Sequence, residues 1–181
     1  MPSALKSRLP ARGEIGSVYA VILFFLFGWA TIIFFWKFPA WLYYATLGEI
    51  AVYYLYLAVT EALEGLLYLA ALLLACTLLP APWLKEKFIV RGTIVALALP
   101  TFLLLTQYFI AYHEFDKGLA ALLALLLAGG VASLWMGLAA RRAVFEQAAR
   151  LLAERTPVFL YVYLPLAVVA LAILAVRNLG R

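Results

Sequence analysis

Three glutamates, Glu49, Glu61 and Glu64, stand in a tract from Trp41 to Leu79 that is otherwise free of formal charge. Ionisable side chains at membrane depth are costly to place and mark functional surfaces by default. At about 100° per residue of a helix, Thr60, Tyr53 and Glu64 fall within about 60° of Glu49, and Tyr68 and Glu61 within about 120°. All of them therefore share one third of a helical circumference, a stripe suited to protein or water rather than lipid. A carboxylate in such surroundings finds a cation or hydrogen-bond donors, or it takes up a proton. Arg91, at the start of the third expected span, is a candidate basic partner, and Thr101 and Gln107 could donate hydrogen bonds. Three uses fit the stripe: interhelical hydrogen bonding, a proton or cation pathway, and docking of a basic partner helix.

Other chemistry is thin. Glu61-x-x-Glu64 lacks the Glu-x-x-His pairs of di-iron bundles, so no metal is expected there. The single cysteine, Cys76, cannot pair within the chain, and the single histidine, His113, lies in a polar turn with Glu114 and Asp116. Bis-histidine haem, thiol chemistry and an aspartate dyad are excluded by count, and no phosphate-binding glycine motif occurs. No cofactor is expected.

The elements that must position these residues follow from composition. Of the 181 residues, 68% are hydrophobic and 13% charged, against about 45–50% and about 25% in soluble domains. Too little polar surface remains for a water-exposed globule or a nucleic-acid-binding domain. The expectation is an all-α integral membrane protein. A basic tail, 1–14, precedes a single transmembrane helical domain, 15–181. Uncharged runs predict spans near 15–36, 41–79, 88–112, 118–140 and 157–176. Lys37-Phe38-Pro39-Ala40 reads as a tight turn, and Thr156-Pro157 as the N-cap and first-turn proline of the last span.

Tract 41–79 is long for one span, and Thr60–Gly65 offers a place to fold it in two. Charge asymmetry favours one helix. Five spans with the N-terminus inside and the C-terminus outside put ten of the fourteen basic residues on the cytoplasmic side, whereas a sixth span leaves six inside and eight outside. The second helix is then expected to tilt, to kink near Gly65, or to project beyond the bilayer.

Two further surfaces stand out. Gly129, Ser133 and Gly137 form a small-residue series for close helix packing, within the chain or in a homo-oligomer. Residues 141–155 predict an amphipathic helix with Val144, Phe145, Ala148, Leu151 and Leu152 on one face. Its Arg141, Arg142, Arg150 and Arg155 suit anionic lipids at the inner leaflet. The expected function is a non-catalytic, multi-pass protein of the plasma (inner) membrane, acting as an accessory, assembly or partner-binding subunit through the Glu/Tyr face. The alternative is a small proton- or cation-linked transporter or channel subunit using Glu61 and Glu64. A membrane enzyme acting on lipid, with one of these glutamates as base, is a third reading.

Overall fold

Pro10 has no N–H to give, and a helix begins just after it. The Ala11 amide donates to Glu14 Oε2 at 3.1 Å, and α1 runs Arg12–Trp41. A computed structural model describes residues 9–80, 84–98, 118–119, 122–123, 126–127, 129–131 and 143–179. The described backbone is helical apart from turns and short connections, with no strand among the described residues. Besides α1, the elements are α2 (Leu47–Leu78), α3 (Phe88–Ala98), α4 (Ala143–Arg155) and α5 (Pro157–Leu179). Three of them, α1, α2 and α5, are long and apolar enough to cross a membrane.

The reversal between α1 and α2 falls later than Lys37–Ala40. Those four residues belong to the last turn of α1, which continues to Trp41 despite Pro39. One hydrogen bond lost to proline so near a helix end is offset by ring packing. Phe34 meets Trp41 at 5.0 Å between centroids and Tyr54 of α2 at 4.9 Å. The turn occupies residues 42–46, and Thr46 starts α2 through a reciprocal cap. The Glu49 amide donates to Thr46 Oγ1 (3.3 Å), and the Thr46 amide donates to Glu49 Oε2 (2.8 Å).

From there α2 continues for 32 residues as one helix, about 48 Å long. Gly65 lies close against α1: a Cβ there would lie 2.7 Å from Leu23 Cδ2. Gly92 of α3 approaches α1 similarly, with Val18 methyls 3.1 Å from its ideal Cβ position. Val18, Ala20, Val21 and Ile22 are 0% exposed. Their helix is apolar all round, as a helix enclosed on several sides must be. Phe27 of α1, Ala58 of α2 and Ala170 of α5 close a second core, and Phe27 meets Tyr163 of α5 at 4.2 Å.

Thr156 does not cap α5 through its side chain. It is buried, and its hydroxyl donates backward to the Leu152 carbonyl at 2.9 Å, finishing α4 instead. Of the predicted span 88–112, residues through Ala98 are described and helical. Of 118–140, only residues up to 131 are described, in part, and these too are helical.

Candidate functional site: the groove between α1 and α2

The face that α2 turns inward is set by its small residues. Ala58, Gly65 and Cys76 are buried, together with Ile50 and Leu72, and they cluster about 100–180° round from Glu49. The Glu/Tyr stripe therefore straddles the edge of the buried face rather than lying within it. Its members part company along that edge.

Glu49 belongs to the Thr46 cap, accepting also from Thr46 Oγ1 at 2.9 Å. Tyr53 packs edge-on against Trp41 at 5.6 Å. The Thr60 hydroxyl donates to the Tyr56 carbonyl one turn back (2.9 Å), which satisfies it within its own helix. Tyr68 turns inward, and its hydroxyl donates to the Val95 carbonyl of α3 at 3.0 Å. Glu64 is exposed, beside Leu63 and Leu67. Glu61 alone is half-buried toward α1.

Glu61 lines a groove of about 360 Å³ with Trp29, Phe34, Lys37, Trp41 and Leu57. Trp29, Ile33, Lys37 and Trp41 recur every fourth residue, so α1 presents them as one ridge. Side chains lean toward the N-terminus of their own helix. In an antiparallel pair that inclines Lys37 and Glu61 toward each other from opposite ends. No ion pair joins them among the described residues. Lys37 was not expected here, because a lysine beside a proline reads as a loop. The signal that locates it is Thr46-x-x-Glu49, a capping box that moves the helix start, and hence the turn, past Trp41.

Arg91 stands in the first turns of α3 with Nη1 buried and without a hydrogen-bond partner among the described residues. Gly129 is exposed. Gln107, Ser133, Gly137, Arg141 and Arg142 lie outside the described residues.

The second polar surface is α4. Its buried side is Ala149 and Ala153, with Phe145 and Leu152 beside them. Val144 (73% exposed) and Leu151 point away from the bundle, on the same side as Arg155 by helical angle. Small residues allow α4 close to α3, where Ala149 meets Val90 and Ile94. The remaining side is charged: Glu146 accepts from Lys87 Nζ of the preceding turn (2.9 Å) and from Arg150 Nη2 (2.8 Å). Lys87, and then Arg150, hold the Glu146 carboxyl below the usual carboxylate range. One helix thus presents three sectors: a buried one, an exposed apolar one and a charged one. No protein-family model, no curated protein and no solved structure matches the chain.

Proposed function

We propose that the chain is a five-span, multi-pass protein of the plasma (inner) membrane, with its N-terminus in the cytoplasm and its C-terminus outside. In this reading it serves, without catalysis, as an accessory, assembly or partner-binding subunit. The observation that carries the reading is Glu64. It is exposed near the middle of an apolar helix, flanked by Leu63 and by Leu67, which is 71% exposed. A charge at the bilayer centre costs about 2.5–3.5 kcal/mol on insertion scales. A partner span offering a basic or hydrogen-bonding side chain removes that cost, and Thr60, Tyr56 and Tyr53 extend the same exposed edge. The partner is another membrane protein or a second copy of this chain.

Two features support the orientation. Ten of fourteen basic residues fall on the cytoplasmic side of this topology. On that side α4 lies along the inner leaflet, its Val144 and Leu151 edge in the acyl boundary and its arginines beside anionic headgroups.

Photo-crosslinkers at Leu63 and Leu67, activated in native membranes, test the reading. The expected result is one discrete protein adduct that weakens with Glu64→Gln. Adducts to lipid alone at both positions would overturn it, and an adduct of twice the chain mass would identify the partner as a second copy.

A further inference from the structure

The groove between α1 and α2 has a chemistry of its own, separate from the Glu64 edge. Its volume, about 360 Å³, suits a small ligand, since such pockets run from about 300 to about 1,000 Å³. Trp29, Phe34 and Trp41 line it with Leu57, and the Phe34 and Trp41 rings meet edge to face at 5.0 Å. Aromatic rings attract cations through the negative potential above their faces, tryptophan most strongly. Glu61 places a carboxyl group in the same space.

The two ionisable residues of the groove are not equivalent. Lys37 lies one turn from the end of α1 and is exposed, and its four-carbon stem allows its ammonium to reach outward while the stem covers the groove. Glu61 lies fourteen residues into α2, about 21 Å from its start, on a short side chain that is half-buried. The lysine charge can leave and the carboxylate cannot. What stays is a carboxyl group among aromatic and aliphatic walls, in a groove between two helices apolar enough to lie in lipid.

We propose that this groove binds a lipophilic organic monocation, of the quaternary ammonium or phosphonium type, with its charge at Glu61 and its substituents against Trp29, Phe34 and Trp41. The site complements such a ligand in sign, in apolarity and in access from the bilayer. Lys37, exposed at the outer end of the groove and not paired with Glu61, opposes the cation only through space. An anionic amphiphile would instead use Lys37 and be repelled by Glu61, and a zwitterion would need both.

Equilibrium binding of radiolabelled tetraphenylphosphonium to the purified full chain in uncharged detergent tests this, with tetraphenylborate as an anion of the same shape. Saturable binding near one cation per chain is expected, with no saturable binding of the anion. Glu61→Gln should weaken cation binding by about tenfold or more, and Trp29→Leu by about threefold to tenfold. Lys37→Gln should tighten it by about threefold, as the opposing charge is removed. Glu154→Gln, on the exposed charged side of α4, should leave it unchanged. Variants are compared only where circular dichroism and elution volume match the parent, and Glu61→Asp, which keeps the charge, should retain most of the affinity. Preference for tetraphenylborate, undiminished binding in Glu61→Gln, or weaker binding in Lys37→Gln would each overturn the proposal.

Discussion

Gly65 of α2 sits so close to Leu23 of α1 that a methyl group on residue 65 would lie 2.7 Å from Leu23 Cδ2 and 3.5 Å from the Tyr19 ring. Leu23 is 2% exposed and has little room to yield. Gly28 of α1 is a contrasting case, with nothing within 4 Å of its ideal Cβ position. Gly28→Ala should stabilise the protein by up to about 1 kcal/mol through helix propensity. Gly65→Ala should forfeit that gain, and Gly65→Val should cost about 1–3 kcal/mol by overpacking. Thermal unfolding midpoints in one detergent compare the three. Equal effects at both glycines would remove Gly65 from the α1–α2 contact.

The Thr46–Glu49 cap makes a separate prediction. Thr46→Ala should cost about 1 kcal/mol, and Thr46→Ser should restore most of it, because serine keeps a hydroxyl that accepts from the Glu49 amide and donates to its carboxylate. Glu49→Gln should be mild, since glutamine fills the same place in a capping box. A loss of function in Glu49→Gln without loss of stability would mean that the charge has a use beyond the cap. Denaturant or thermal titration of the four proteins separates these outcomes.

Acid should loosen α4 before it disturbs the helical core. The Glu146 carboxyl is held below its ordinary value by Lys87 and Arg150. A carboxyl lowered in the folded state adds stability above its unfolded pKa, about 4.3, and that stability is lost as pH falls through the lowered folded value. Wild-type stability should therefore drop below about pH 4 more steeply than that of Glu146→Gln. The two curves should run parallel above about pH 6. Melting midpoints across a pH series, or exchange rates of α4 amides, read the difference. Parallel curves at every pH would show the pair to be energetically idle, as exposed ion pairs often are.

Tyr68→Phe tests the join between α2 and α3. Removing the hydroxyl leaves the Val95 carbonyl without the 3.0 Å bond it accepts from Tyr68. Such bonds between apolar helices average about 0.6 kcal/mol and reach about 1.7 kcal/mol. The loss should appear as faster hydrogen exchange in α3 with α1 unchanged. A uniform change across both helices would instead point to global destabilisation.

The long helices were legible because charge-free runs and prolines delimit them. Arg12–Trp41 and Pro157–Leu179 cover the expected spans 15–36 and 157–176, and Leu47–Leu78 lies within 41–79, starting six residues late. The α1–α2 turn was misplaced because Lys37 and Pro39 are strong local loop signals, whereas ring contacts from Phe34 to Trp41 and Tyr54 are tertiary. The same limit applies to Glu61. Helical angles assign it to a stripe, but whether it meets α1 depends on which face packs inward, and Gly65 and Ala58 decide that. In α4 the larger residues Val144 and Leu151 drew the sequence reading, while the bundle took Ala149 and Ala153 because small side chains permit the closest approach.

The enclosure of α1 carries a consequence for biogenesis. Its neighbours arrive in order: α2 against Leu23, then α3 against Val18, and finally α5, whose Phe159 and Tyr163 cover Phe24 and Phe27. Until the last span is made, the phenylalanine side of α1 lacks its protein cover. In water that interval would invite aggregation. In a bilayer acyl chains are as apolar as the side chains they precede, so lipid can occupy the α5 position and withdraw when the final helix docks. The phenylalanine side of α1 thus gains this protein cover only once α5 has been made.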